Sequence, residues 1–174
     1  MENAVLAVAA LYLLPFGALL LAMQSPAALV RACARSRDEL MGTLTLTPLA
    51  ATVCAVLALH VAWVLMRRRQ WRRPMTAGLV LLGATPAPVV GMGLVLLLNR
   101  GGILGRVYDS RAVIVLAQVI HTLPYAVLAL LPAVHRVPVE LEDAAAIDGC
   151  DWLQRVWRVV LPLSWKHVVV AWFV

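Results

Sequence analysis

Residues 44–66 read LTLTPLAATVCAVLALHVAWVLM, a run that contains no Asp, Glu, Lys or Arg. The hydrocarbon core of a bilayer is roughly 30 Å thick, and an α-helix needs about 20 apolar residues to cross it. This run is long enough, so it predicts a transmembrane helix.

Three further runs of the same kind flank the first one, at residues 4–23, 76–98 and 112–134. The composition agrees with them, since 63% of the residues are hydrophobic and 14% are charged. A soluble domain usually has about 25% charged residues, which a water-facing surface requires. We therefore expect an all-α integral membrane protein, a polytopic bundle of transmembrane helices.

A dense group of arginines lies between the second and third runs, at Arg67, Arg68, Arg69, Arg72 and Arg73. Short cytoplasmic loops collect basic residues because positive charge resists translocation. The pattern predicts that this loop, at 67–75, the N-terminus and the segment after Val134 face the cytoplasm, and that the loop over 99–111 lies outside. The net charge of +6 could also suggest nucleic acid. A nucleic-acid patch needs stacking residues beside it, however, and only Trp71 qualifies, so no nucleic-acid partner is predicted.

The three cysteines, Cys33, Cys54 and Cys150, are scattered, and their spacing predicts neither a disulfide framework nor a metal site. Glu2 precedes the first run and no basic residue does, so the run is expected to be retained rather than cleaved as a signal peptide. Residues 1–42 are thus interpreted as an N-terminal transmembrane helix followed by an external loop.

The segment after Val134 changes character, because residues 135–165 hold five of the nine acidic residues. The pattern predicts a short helix over 139–148 that ends at Gly149, the residue type that adopts a left-handed cap most easily. A second helix should begin at Asp151, with Gln154 completing a capping box. Pro162 is expected to end that helix.

This helix–glycine–helix segment resembles the signature of the membrane subunits of binding-protein-dependent type I ABC importers. The family pattern is E-A-A, three residues, G, nine residues, I-x-L-P. Here Asp143, Ala144 and Ala145 are followed at that spacing by Gly149 and by the segment 159–162, which ends in Leu161-Pro162. Five of the seven signature positions are identical, and Asp for Glu and Val for Ile are conservative.

The resemblance covers roughly residues 43–174 and implies a transmembrane domain with spans at about 44–66, 76–98 and 112–134. Residues 135–165 would form the cytoplasmic coupling loop that docks on a separate ATPase. A next span would start at 167–174, so the chain is expected to be incomplete at its C-terminus. The family's coupling positions would be Asp143, Ala144, Ala145, Gly149, Leu161 and Pro162.

The partners that the resemblance implies are ABC ATPase subunits, a second permease subunit in a homo- or heterodimer, and an extracytoplasmic solute-binding protein. The chain has no phosphate-binding G-x-x-x-x-G-K-[ST] motif, and its only lysine is Lys166. We therefore expect no cofactor on this chain, with ATP and magnesium bound by the partner subunit. The expected location is the lipid bilayer of a prokaryotic plasma (inner) membrane.

Polar residues within the apolar runs are candidates for the translocation path, because such groups are costly in hydrocarbon. Gln118, His121, Thr122 and Tyr125 recur at helical spacing on the fourth run. They would either line the path or form hydrogen bonds between helices. His60 is interpreted as a packed or interfacial histidine. The prolines of Thr85-Pro86-Ala87-Pro88 predict that the helix kinks or opens within the third run, either for packing or as a wall of the path.

Three other functions are alternatives to transport. The first is an intramembrane enzyme, which would need paired carboxylates or a nucleophile with its base, and no apolar run contains an acid. The second is a membrane scaffold that binds no ATPase. The third is a helix that only lies on the membrane surface. The upstream pattern is similar to permeases for iron(III), polyamines or thiamine.

Overall fold

The structure is a computed structural model, and it describes residues 34–173 together with Leu13, Leu14, Gly17, Ala18, Arg31 and Ala32. The chain divides into two units, residues 1–44 and residues 45–174. In the first unit the described residues are helical apart from a turn at Ser36. The predicted span over 4–23 lies outside the described residues, except for four that are helical.

Every regular element in the described residues is helical, which confirms the all-α prediction. In chain order the elements are α1 (Arg37–Arg67), α2 (Arg69–Ala84), α3 (Ala87–Leu98), α4 (Ile103–Tyr108), α5 (Ala112–His135), α6 (Val139–Ile147), α7 (Trp152–Arg155), a π-helical segment (Val156–Val160) and α8 (Leu161–Trp172).

Two of these helices, α1 and α5, are long and apolar enough to cross a membrane, with mean hydropathies of 2.3 and 2.0. The run 76–98, predicted as a span whose helix kinks or opens at its prolines, is divided into α2 and α3, which meet at an angle of 106°. Thr85 adopts an extended conformation before Pro86, as steric contact with a following proline ring favours. The predicted kink is thus a full break, and the pair forms either one broken span or a re-entrant loop.

Two predicted loops contain helix instead. The arginine-rich segment 67–75 has only Arg68 outside a helix, since α1 ends at Arg67 and α2 begins at Arg69. Arginine and glutamine are good helix formers, so this segment continues as a helix although it is highly charged. The predicted external loop over 99–111 contains the short helix α4.

The core of the second unit forms where α1 presents a stripe of small residues. Ala50, Cys54, Ala58 and Ala62 recur every four residues, and all four are buried. Small side chains let membrane helices approach closely, because nothing bulky separates their backbones. The same core includes buried residues of α5, of the π-helical segment and of α8, among them Val127, Leu130, Val134, Val156, Val160 and Ala171.

The prediction that Pro162 ends the second cytoplasmic helix was wrong. The helix widens into the π-helical segment, where the Leu161 amide donates to the carbonyl of Val156, and α8 continues from there. Pro162 is the second residue of α8, directly after the π-helical segment, so its missing N–H falls where the hydrogen-bonding pattern changes from π to α. The segment expected to begin at residue 167 is therefore part of a helix that begins at Leu161.

Candidate functional site

The turn after α6 has the geometry that the sequence predicts. Gly149 has a φ of +83°, in the left-handed region. Its amide donates to Ala146 at 3.1 Å, and the Cys150 amide donates to Ala145 at 2.9 Å. These two bonds form a Schellman motif, which satisfies carbonyls at the end of α6. No atom lies within 4 Å of a Cβ built on Gly149, so glycine is required by its conformation and not by lack of space.

The start of α7 also confirms its prediction. The Gln154 amide donates to the Asp151 carboxylate at 2.7 Å, and the Asp151 amide donates to the Gln154 side chain at 3.2 Å. This reciprocal pair is a capping box, which satisfies two amides that the first helical turn leaves free. The direction in which α7 starts after Gly149 is therefore set by local sequence.

The strongest tertiary contacts of this segment are made by Glu142, which is 3% exposed. Its carboxylate accepts hydrogen bonds from the Trp63 indole at 2.7 Å and from the Arg67 Nε at 2.9 Å. A second guanidinium nitrogen of Arg67 lies 2.8 Å from the same carboxylate and donates to the Val137 carbonyl at 2.7 Å. We call this group of four residues the Glu142 clamp. It ties α6 and the chain before it to the end of α1.

The signature residues on α6 divide by exposure. Asp143 and Ala144 are exposed, whereas Ala145 is half-buried. Ile147 is 88% exposed, which is unusual for an apolar side chain outside the bilayer-facing helices. Asp143, Ala144 and Ile147 are therefore free for a partner, while Glu142 faces the protein. Further along the signature, Leu161 is half-buried and Pro162 is exposed.

Aromatic rings surround the clamp. The Trp63 and Trp152 rings stack with their centroids 6.2 Å apart. The His60 ring meets Trp152 and Trp157 edge-on at 6.0 and 5.9 Å, and its Nδ1 is 2.8 Å from the Val56 carbonyl. These contacts agree with the interpretation of His60 as a packed histidine.

The four polar residues Gln118, His121, Thr122 and Tyr125 of α5, which we call the polar stripe, face two different neighbours. The Thr122 hydroxyl contacts the Cys54 sulfur of α1 at 3.3 Å and donates to the Gln118 carbonyl at 2.8 Å. Gln118 and Thr122 border a cleft of about 290 Å³ between α1, α5 and α8. The Trp172 indole donates to the Thr52 hydroxyl of α1 at 3.1 Å, and this bond also joins α8 to α1.

The other two stripe residues lie towards the break between α2 and α3. The Tyr125 hydroxyl donates to the Gly83 carbonyl of α2 at 3.1 Å, and His121 packs edge-on against the Tyr125 ring at 6.1 Å. A buried oxygen of Gln118 and the buried Nδ1 of His121 have no hydrogen-bond partner among the described residues. Polar atoms left unpaired in this way need an explanation, which a substrate or water can supply.

From the sequence, the acids at 142, 143 and 148 are expected to meet either basic groups on a partner or the arginines at 67–73, and for Glu142 the second alternative holds, because it pairs with Arg67. The hydrogen bond from the Trp63 indole was not predicted. Trp63 and Arg67 are four residues apart, so they share one face at the end of α1. An indole beside a guanidinium on one helix face was the sequence feature that could have predicted a buried carboxylate bound at this place. Within the described residues, no group of three His, Cys, Asp or Glu side chains could hold a metal ion.

Apolar helices, a break within the bundle and a polar helix–glycine–helix segment define an α-helical multi-pass membrane protein. A family model described as binding-protein-dependent transport system inner membrane component matches residues 51–173. The chain belongs to this family.

Curated relatives include three permeases with different named solutes. The molybdenum transport system permease ModB of Mycobacterium tuberculosis is 35% identical over 71% of this chain and 50% of its own length. The sulfate permease CysT of Synechocystis is 33% identical over 67% and 44%. The diacetylchitobiose uptake permease DasC of Streptomyces coelicolor is 33% identical over 66% and 42%. The chain spans about half the length of the curated relatives it matches.

Proposed function

We propose that this chain is a permease subunit, or part of one, of an ATP-driven type I importer, with α6 as its coupling helix. The observation that carries the proposal is the Glu142 clamp, which ties α6 to α1, a helix long enough to cross the membrane. A force applied to α6 by a partner would therefore reach that span. Switching between two conformations requires such a physical connection between the partner site and the moving element.

The exposed side of α6 suits a partner surface. Ala144 adds little bulk and loses little side-chain entropy, and Ile147 offers an apolar side chain that would be buried on docking. Asp143 supplies a charge for a basic group on the partner. In the proposed assembly that partner is an ATPase subunit, which binds ATP and magnesium.

The translocation path is proposed to run beside the polar residues of α5. Broken helices are tolerated inside a membrane where protein or a water-filled cavity satisfies the freed backbone groups. The break between α2 and α3 lies next to Tyr125, and Gln118 and His121 each carry a buried polar atom without a partner among the described residues, which a solute would reach only when the helices move apart. Thr122 belongs to the same path, through the cleft that it borders.

The remaining assembly follows from the family and belongs to the proposal. A second permease subunit would complete the path, and an extracytoplasmic binding protein would deliver the solute. The arginine-rich segment 67–75 supports a cytoplasmic position for α6 and for the N-terminus. The expected location is the plasma membrane of a prokaryote. The named relatives serve chemically different solutes, so the proposal concerns the mechanism and not the solute.

Two exposed isoleucines provide a matched test of docking. In the full-length protein, Ile147→Asp places a charge on the proposed docking surface, whereas Ile103→Asp changes an isoleucine that is 80% exposed on α4. The measurement is the amount of ATPase subunit that co-purifies with the tagged permease. We expect Ile147→Asp to lose most of the ATPase and Ile103→Asp to keep it. Equal retention by both variants would remove the support for α6 as the coupling helix.

The orientation can be tested separately with single cysteines at Gln70 and Ser110 in a background without native thiols. An impermeant thiol reagent added to intact cells should label position 110 and spare position 70. Labelling of position 70 with protection of position 110 would reverse the proposed topology.

A further inference from the structure

A groove at the arginine-bearing end of α1 has no role in the proposed transport mechanism. It has a volume of about 360 Å³, and it is lined by Trp63, Val64, Arg68, Trp71, Met75 and Trp152. Three of its walls are indole rings, and one polar residue, Arg68, stands among them. The lining thus combines apolar surface with a single cation.

The positive charge around this groove is not compensated by the protein. In the part of the chain that the structure describes, the one ion pair joins Arg67 to Glu142. Arg68, Arg69, Arg72 and Arg73 are all exposed. Two acids of α6, Glu142 and Asp143, line a neighbouring pocket that also includes Arg68, and of these Glu142 is paired with Arg67 whereas Asp143 forms no ion pair among the described residues. The groove therefore carries a net positive charge.

The position of the indoles indicates where the groove lies relative to lipid. Trp71 is 54% exposed on the first turn of α2, and Trp152 is 47% exposed at the start of α7. Both line the groove together with Trp63, which lies one turn before the end of α1, a helix long enough to cross the bilayer. Tryptophan is enriched at the level of the lipid headgroups, because its ring is amphipathic. The guanidinium carbon of Arg68 lies 5.9 Å from the centre of the Trp63 ring, which holds its charge beside the groove.

We propose that this groove binds an anionic phospholipid, with the headgroup phosphate at Arg68 and the start of the acyl chains along Val64 and Met75. Guanidinium groups pair well with phosphate, and basic pockets beside transmembrane helices bind anionic headgroups. An acidic side chain of a protein partner is a poorer match, because it would leave the apolar wall of the groove uncovered. The site would select phosphatidylglycerol over phosphatidylcholine.

The test measures lipid binding and needs no transport, so its result is independent of the proposed function. Spin-labelled phosphatidylglycerol and spin-labelled phosphatidylcholine are added in turn to the purified full-length protein in nanodiscs of phosphatidylcholine. The fraction of immobilised label gives the relative affinity. The unmodified protein should prefer phosphatidylglycerol, and Arg68→Gln should reduce that preference about fivefold, the size expected for one arginine near a membrane surface.

The matched control is Arg100→Gln, which removes an exposed arginine from the turn after α3 and should leave the preference unchanged. Arg68 is exposed and outside the helices, so its replacement should not disturb folding. An unmodified protein without preference, or equal losses in both variants, would overturn the proposal. Displacement of the labelled lipid by soluble glycerol phosphate at equal concentration would also overturn it, because the site would then recognise phosphate alone.

Discussion

The two ends of the proposed mechanism are built differently. At the Glu142 clamp, four residues form short hydrogen bonds and every oxygen of the carboxylate is paired. Along the polar stripe of α5, Gln118 and His121 each leave a buried atom unpaired, and the stripe borders a cleft. The first region is a rigid connection, whereas the second is a polar surface with unused hydrogen-bonding capacity.

This difference indicates where each region can tolerate change. A buried carboxylate that loses its partners, or a guanidinium that loses its carboxylate, destabilises the fold because the remaining group is left unpaired in a poor solvent. A side chain of the stripe whose polar atom is already unpaired leaves no partner behind when it is removed. Its removal should therefore affect transport more than stability. Substitutions in the two regions should therefore separate stability from transport.

The largest effect is expected for Glu142→Ala. The change leaves the Trp63 indole and the Arg67 guanidinium without their acceptor, and breaking a buried pair costs about 3 kcal/mol, towards the low end because the Arg67 side chain is 17% exposed. Equilibrium unfolding in mixed micelles measures the loss. Glu140→Ala, two residues earlier and exposed, is the control and should change stability by no more than about 0.5 kcal/mol. Equal effects of the two changes would show that the clamp is not a structural anchor.

Gly149→Val should have the next largest effect. A β-branched residue at a φ of +83° introduces about 2 kcal/mol of strain, so the turn should re-aim α6 and uncouple the ATPase while the spans still insert. Co-purification of the ATPase and solute-stimulated ATP hydrolysis in proteoliposomes are the measurements. Gly149→Asn is the matched control, since asparagine tolerates the left-handed conformation and no neighbour blocks its Cβ. Wild-type behaviour of the valine variant would argue against a coupling role for this turn.

His121→Leu tests the stripe itself. Because the Nδ1 of His121 has no partner among the described residues, we expect assembly to be unchanged and uptake to fall about tenfold, the value of one hydrogen bond to a solute. Uptake into proteoliposomes and the yield of assembled complex are measured together. Unchanged uptake in the assembled variant would leave interhelical packing as the only role of His121.

The smallest effect is expected for Tyr125→Phe, which removes the hydrogen bond to the Gly83 carbonyl and keeps the ring. Such bonds between membrane helices contribute about 0.6 kcal/mol, so unfolding should shift only slightly. Thr122→Val is a comparison within the same stripe, and it removes the contacts to Cys54 and to the Gln118 carbonyl. If either variant lost as much stability as Glu142→Ala, the distinction between the two regions would be contradicted.

The sequence predicted the features that depend on local chemistry. The left-handed glycine at position 149 and the capping box at Asp151 follow from the residue types at those positions, and both are found. Features that depend on tertiary packing were missed. The continuation of the helix through Pro162 requires a π-helical segment whose residues Val156 and Val160 are fully buried, and burial of this kind is not visible in a local pattern.

The polar stripe of α5 also shows that tertiary contacts cannot be predicted from a local pattern. Helical spacing placed its four polar residues on one face, but each part of a face can meet a different helix. Thr122 contacts α1, whereas Tyr125 contacts α2, because α2 ends at the break beside Tyr125. The angle between α2 and α3 could not be predicted either. Two prolines predict that a helix kinks or opens, but they do not predict an angle of 106°.

The most direct test of the central claim places a photo-crosslinking amino acid, p-benzoylphenylalanine, at position 147 of the full-length protein in membranes that contain the complete transporter. The side chain there is 88% exposed, so the label should not disturb folding. Position 103 on α4, which is 80% exposed, is the control. We predict a crosslink from position 147 to a subunit whose peptides include a G-x-x-x-x-G-K-[ST] motif, and none from position 103. Crosslinks from position 147 only to lipid, or to the ATPase equally from both positions, would contradict the assignment of α6 as the coupling helix.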